Sequence, residues 1–180
     1  MKLAAISGSL RAESANTALV RALPLLAPLG MDIVVFNGIG DLPHYDPALD
    51  TEPPPASVAR WRTALGEADA ALFCTPEYAH GMPGSLKNAL DWLVSSGEFD
   101  GGKPCGALSA SPSFLGGDKA LAWLLQILAV LGAHVPPAAT FPIPYVRTKV
   151  DAQGHVSDPT LADALRAALQ SLADAAMPLA

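Results

Sequence analysis

Lys2-Leu3-Ala4-Ala5-Ile6-Ser7-Gly8-Ser9-Leu10-Arg11-Ala12-Glu13-Ser14-Ala15-Asn16 opens the chain with an apolar run, a glycine turn and a polar stretch. Leu3 to Ile6 reads as a short strand buried on both faces. It stops at Ser7-Gly8. Beyond the polar stretch, Ala15, Ala18, Leu19, Ala22, Leu23 and Leu26 keep helical spacing up to Pro28 and Gly30. A strand that enters a helix through a small-residue turn sets an alternation, and the rest of the chain continues it.

Met31 to Phe36 reads as a second strand, and Asn37 to Pro55, rich in Gly, Pro and Asp, as loop. Ala56 to Gly66 reads as helix, with Trp61 and Leu65 four apart. Ala70 to Thr75 is a third strand, closed by Pro76. Pro83 suits the first turn of a helix that carries Leu86, Leu90 and Leu93 on one stripe. Pro104 to Ala110 is a fourth strand. Gly116-Gly117-Asp118 opens a helix over Lys119 to Leu131, ended by Gly132. The fifth strand is expected at His134 to Ala138. Pro136 and Pro137 break its ladder, so it belongs at a sheet edge. A last helix is expected from about Pro159 to Ala176, with Leu161, Leu165, Leu169 and Leu172 inward.

Five strands alternating with five helices predict an α/β fold. One open parallel sheet is covered on both faces, in a single domain spanning residues 1–180. Right-handed crossovers leave two common strand orders. In both, a ligand sits beyond the carboxyl ends of the strands. The residues that follow strands one, three and four therefore carry the search for function.

Composition narrows the function classes. Apolar residues make up 51% and charged residues 16%, which opposes disorder. The net charge of −6 argues against a nucleic-acid surface. It also means that a bound phosphate needs backbone amides or a placed Arg. Cys74 and Cys105 form neither a C-x-x-C pair nor a zinc spacing, and no metal site is expected. Both sit in apolar runs and read as small buried hydrophobes. Leu3 to Ile6 is shorter than the roughly 7–15 apolar residues of a secretory signal. Ala120 to Leu131, interrupted by Gln126, is too short to span a bilayer. A cytoplasmic location without a membrane partner is the expectation.

Gly8 to Asn16 leaves the first strand and enters the first helix. A helix N-terminus offers unpaired amides and a positive dipole end to a phosphate. Ser9 and Ser14 add hydroxyls, and Arg11 a full charge with a fork that matches phosphate oxygens. The stretch lacks both G-x-x-x-x-G-K-[ST] and G-x-G-x-x-G, so neither an ATP loop nor a dinucleotide site is indicated. Alone it is equally an ordinary helix start with Ser14 as cap. Thr75-Pro76-Glu77-Tyr78-Ala79-His80-Gly81-Met82-Pro83-Gly84 follows strand three. Such a turn can present amides to the edge of a flat heterocycle, with Tyr78 on its flank. Alternatively, Tyr78 packs on the domain and Glu77 is a solvated charge or a cap. His80 could be a proton donor, but a lone loop histidine is more often structural. Ser109-Ala110-Ser111-Pro112-Ser113-Phe114-Leu115-Gly116-Gly117 leaves room for a ligand after strand four, as many Ser/Gly loops do.

Gly8-Ser9-Leu10-Arg11-x-x-Ser14-x-Asn16 is followed about 60 residues later by Pro76-Glu77-Tyr78, then by Gly84-x-Leu86-Lys87-Asn88-Ala89-x-Asp91-Trp92. This order resembles the NADPH-dependent FMN reductases of the flavodoxin-like superfamily, which include bacterial quinone, chromate and azo-dye reductases. The resemblance spans roughly residues 1 to 135. It implies a flavodoxin-like, three-layer, doubly wound five-stranded parallel sheet of order 2-1-3-4-5. It implies FMN as cofactor and NADPH or NADH as co-substrate. The loop that wraps the FMN phosphate maps onto Ser9, Leu10, Arg11, Ser14, Ala15 and Asn16. The loop that holds the flavin ring and ribityl chain maps onto Pro76, Glu77, Tyr78 and Ala79, and the loop along the ring's polar edge onto Ser111. Many members have Asn at the position of Ala79 and some have Ser at that of Ala110, so backbone amides serve there instead.

The implied activity is a ping-pong cycle. A reduced nicotinamide gives hydride to the flavin and leaves, and an acceptor then takes the electrons. The acceptor is a quinone, azo dye, metal oxyanion or free flavin. No residue is assigned a catalytic role. Family members are dimers or tetramers with the flavin at the interface. In agreement, the helix Ala120 to Leu131, with Trp123, is apolar nearly all round. Another subunit covers it, or the C-terminal segment does. Trp61 and Trp92 read as core or interface packing. Two other readings stand beside the enzyme: a flavodoxin-type electron carrier, and a module that binds a different phosphate ligand.

Overall fold

The computed structural model describes residues 1–177. Strands β1 (Lys2–Ser7), β2 (Asp32–Phe36), β3 (Ala70–Thr75), β4 (Cys105–Ala110) and β5 (Thr140–Ile143) alternate with five helices. These are α1 (Ala15–Leu26), α2 (Ala56–Gly66), α3 (Gly84–Asp91), α4 (Asp118–Val130) and α5 (Pro159–Ala176). The strands form one parallel sheet in the order β2-β1-β3-β4-β5, as expected of a flavodoxin-like fold.

The period of two along each strand splits the core into two layers. Ala4, Ile6, Ala71 and Phe73 face α2, α3 and α4, where they meet Trp61, Leu90 and Leu124. Leu3, Ala5, Leu72 and Cys74 face α1 and α5, where they meet Leu19, Leu165 and Leu169. Trp61 and Trp92 are fully buried and belong to the core. The Trp61 indole N–H donates to the Ala89 carbonyl at 2.8 Å, so its polar tip is satisfied inside. Asn88 and Trp92 both donate to the Pro43 carbonyl, and Asn88 also accepts the Tyr45 N–H. The residues of the α3 motif thereby pin the long loop after β2.

The structure corrects two expectations. The fifth strand is not His134 to Ala138. His134 makes one isolated bridge to Pro104, Pro137–Ala139 forms a 3-10 turn, and the ladder begins at Thr140. Two successive prolines have no N–H to donate, so they turn the chain instead of pairing it. The edge placement holds, and an edge strand also tolerates Pro142. The C-terminal helix does not cover α4. α5 packs with α1 on the opposite face of the sheet. Parallel pairing brings Ser7, Thr75 and Ala110 to the same end of the sheet, and the three loops of interest leave from there.

Candidate functional site

The chain leaves β1 through Gly8. Its N–H donates to the Cys74 carbonyl at 2.8 Å. A Cβ at Gly8 would stand 2.9 Å from Leu86 Cδ2 and 3.2 Å from Thr75 Oγ1, so a side chain here would push the loop off the sheet. Ser7 Oγ pairs with Thr17 Oγ1 at 2.9 Å and accepts the Ser9 N–H at 3.2 Å. Ser9 Oγ accepts the Arg11 N–H at 3.3 Å. Hydroxyls thus shape the loop from inside. Ser14 is the N-cap of α1 and a buried residue, yet its hydroxyl caps nothing and has no partner among the described residues. The amides of Ala15, Asn16 and Thr17 also lack partners there. Arg11 is exposed and pairs with no carboxylate among the described residues. Unengaged donors beside a positive dipole end are what a phosphate requires.

Asn16 serves differently. Its Nδ2 donates to the Ala110 carbonyl at 3.1 Å, and its Oδ1 accepts the Cys74 S–H at 3.2 Å. The side chain ties the α1 start to β3 and β4, which leaves its amide for a ligand. Burial pushes the Cys74 thiol up to about 12, so it stays protonated and able to donate.

The loop after β3 is held by Glu77. Its Oε2 accepts the N–H groups of Lys119 and Ala120 at 3.0 and 3.1 Å. The carboxylate therefore caps α4, whose own N-cap, Gly117, has no side chain to do so. Tyr78 and Gly81 exchange both backbone bonds, at 2.9 and 3.0 Å, around Ala79 and His80. Ala79 (φ 48°) and His80 (φ 63°) both lie in the left-handed region, which is strained for residues with a Cβ. The His80 ring is exposed, with Nδ1 3.6 Å from Glu77 Oε1. Gly117 (φ 86°) lets the third loop close in. A Cβ there would lie 3.3 Å from Ser109 Cβ and 3.4 Å from Glu77 Cβ. Ser111 Oγ donates to Ser113 Oγ and accepts the Ser113 N–H, so it organises its own loop.

Ser9, Arg11, Ser14, Ala15, Asn16, Pro76, Glu77, Tyr78 and Ser111 come together around one cleft of about 100 Å³. Leu10 does not line it. Its exposed side chain borders a separate hollow of about 230 Å³ beside Phe36, Ile39 and Gly40. Ala79 is also outside, at the tip of its turn. Arg147, from the connection after β5, lines the cleft and was not foreseen. Nothing in the sequence near Arg147 marks it, because only the tertiary fold brings that connection back to α1.

Residues 1–148 match the NADPH-dependent FMN reductases. The chain belongs to that family. It is 34% identical over 177 residues to a quinone reductase of Escherichia coli K12, covering 97% of this chain and 94% of that one. It is 36% identical over 173 residues to an NAD(P)H-dependent FMN reductase of Pseudomonas aeruginosa, covering 96% and 93%. Among solved structures it resembles FerB, a flavoenzyme NAD(P)H:(acceptor) oxidoreductase of Paracoccus denitrificans. That likeness has a TM-score of 0.82 and 32% identity, covering 96% and 95%. As a member of the FMN reductase family the chain is an oxidoreductase, and FMN with NAD(P)H are its cofactors. This sets the electron carrier and the unrelated phosphate module aside. No helix among the described residues is long and apolar enough to cross a membrane.

Proposed function

We propose that the chain is an NAD(P)H-dependent quinone reductase that holds FMN between its three loops and turns over by a ping-pong cycle. One observation carries the reading. In a chain of net charge −6, the donors at the start of α1 are left unengaged around one cleft: Ser14 Oγ, the amides of Ala15 and Asn16, and the Arg11 guanidinium. This set fits a phosphate monoester. Ser9, Arg11, Ser14, Ala15 and Asn16 would take the phosphate, with Leu10 contributing through its backbone alone. Pro76, Tyr78 and Ser111 would border the ring and ribityl chain. Ala79 would offer its amide, and Glu77 would hold that loop against α4.

Bound FMN supplies the redox chemistry, accepting hydride from the nicotinamide and passing electrons to a quinone or similar small acceptor. The chain's own part is to bind, orient and shield. Neither an acid nor a base among its residues is required. The three loops meet at this cleft, and co-substrate and acceptor use it in turn. The outer face of α4 supports a homodimer or homotetramer. Trp123 is 54% and Val130 79% exposed, and a Cβ at Gly81, on the turn after β3, would lie 3.5 Å from the Trp123 ring. A second copy that covers this face would reach the site.

A visible spectrum of the purified protein is the direct test. A flavin spectrum, retained or restored by added FMN, is expected. A preparation that takes up no FMN refutes the reading. Parallel double-reciprocal lines for NADPH and a quinone are expected, and intersecting lines overturn the ping-pong order. Light scattering reads the oligomer, and a monomer at working concentration overturns that part.

A further inference from the structure

Beside the flavin cleft lies a second, larger cavity of about 450 Å³. The two share Arg11, Glu13, Ser14, Ala15 and Arg147, so they adjoin. Arg21 of α1 lines the outer one. Six of the eleven Lys and Arg residues form ion pairs among the described residues. Of the five that do not, three are Arg11, Arg21 and Arg147, gathered here in an acidic chain. Two carboxylates also border the cavity. Asp151 Oδ1 accepts the N–H groups of Gln153 and His155, which engages it in its own turn, and Glu13 is left exposed.

Arg147 is mounted firmly. It sits in the 3-10 turn Val146–Thr148. The Val146 N–H donates to the Ser111 carbonyl and the Tyr145 N–H to the Ser113 carbonyl, both at 3.2 Å. The turn is thereby fastened to the third loop of the cleft. Ser14 is 8% exposed as a residue, its hydroxyl has no partner among the described residues, and it borders both cavities. Arg147 and Arg21 are fork-shaped cations with no carboxylate partner among the described residues, and such forks match phosphate oxygens.

We propose that Arg147, with Arg21, recognises a phosphate monoester at the outer mouth of the flavin cleft, beside the Arg11 and Ser14 donors. The inference rests on the FMN reading above. Two ligands of such an enzyme carry that chemistry: the 5′-phosphate of FMN and the 2′-phosphate of NADPH. Each has a counterpart without it, riboflavin and NADH respectively, which makes the site testable by ratios.

The test is Arg147→Gln in the full chain. Flavin fluorescence quenching measures FMN against riboflavin affinity. Steady-state kinetics at saturating FMN measures kcat/KM for NADPH against NADH. One of the two ratios is expected to fall about tenfold, the scale of one charge-assisted hydrogen bond at a partly exposed site. A fall in the flavin ratio assigns the site to FMN, and a fall in the nicotinamide ratio assigns it to NADPH. Two unchanged ratios overturn the proposal, even if all four affinities drop together, since Arg147 would then act on the fold and not on a phosphate. Arg60→Gln, on α2, removes the same charge elsewhere. If it lowers the same ratio equally, net charge is the cause and the proposal falls. A wild-type protein that binds no FMN refutes the proposed function as well, whereas intact FMN binding with unmoved ratios refutes this inference alone.

Discussion

Removing the Glu77 carboxylate tests how the site is assembled. Glu77 closes two backbone N–H groups at the start of α4, and its side chain is only 19% exposed. A hydrogen bond to a charged group is worth about 1.5–3 kcal/mol, and a carboxylate at a helix start adds about 0.3–1 kcal/mol. These overlap, because both describe the same charge meeting the same amides, and partial exposure trims them. Glu77→Ala is therefore expected to cost about 2 kcal/mol. For a chain of this size that lowers the melting temperature by about 4–8 °C. Glu77→Gln keeps an acceptor oxygen but not the charge, so about half the loss is expected, or 2–4 °C. The assay is calorimetry on the apoprotein, since bound FMN would raise both temperatures and mask the difference. FMN titration should then show weaker binding in Glu77→Ala, because the loop from Pro76 to Gly81 loses its tie to α4, with Glu77→Gln in between. If Glu77→Ala melts with the wild type, the carboxylate is not a structural cap. If it melts early yet binds FMN normally, the tie does not position the loop.

Arg11→Ala should weaken FMN binding by about 1.5–3 kcal/mol, and an unchanged dissociation constant would remove Arg11 from the phosphate site. Cys74 and Cys105 are fully buried, and burial pushes both thiols up, that of Cys74 to about 12. Neither should react with a thiol reagent at pH 8 until the protein unfolds, and fast labelling of the native state would contradict their placement. Ala79→Asn should stabilise the Tyr78–Gly81 turn by about 0.5–1 kcal/mol, because Asn tolerates positive φ better than Ala, and a lower melting temperature would show that the turn is not strained. Asp50 is held below the usual carboxylate range by the Ser95 hydroxyl and then by Arg62. A lowered folded value gives stability that is present above the unfolded pKa and lost as pH falls through the folded one. Asp50→Asn should therefore melt below the wild type at pH 7, with the gap closing as pH drops below about 4. A gap independent of pH would mean that the charge is not the cause.

The alternation of apolar runs with helical spacing was enough to read the architecture, because four of five strands are short, apolar and bounded by Ser, Gly or Pro. β5 resisted for a reason local to it. Its four residues follow two prolines and include a third, so apolar character and ladder competence part company between His134 and Ile143. A strand finds its place there from β4, through the pairing of Ala107 with Thr140 and Ala110 with Ile143. That register is a property of the assembled sheet. The sides of the sheet were equally hidden. α5 could have lain on either face by its leucine stripe, and only the packed core shows that it joins α1 and, among the described residues, leaves the outer face of α4 uncovered.

At the site, residue types were legible and their atoms were not. Asn16 and Glu77 occupy motif positions, but their side chains join loop to strand and loop to helix. Ser111 hydrogen-bonds within its own turn. The groups left over are backbone amides, one serine hydroxyl and the arginines. This division explains why the two departures from the family pattern are tolerable. At Ala110 the working atom is the carbonyl that accepts Asn16 Nδ2, which any residue supplies. At Ala79 the demand is a positive φ that lets Tyr78 and Gly81 close their pair of bonds. Alanine meets that demand at a cost in strain, where asparagine would meet it with less. The cleft is thus specified mostly by how side chains hold the backbone, so substitutions of the clamps, Asn16 and Glu77, should disturb FMN binding about as much as substitution of Arg11.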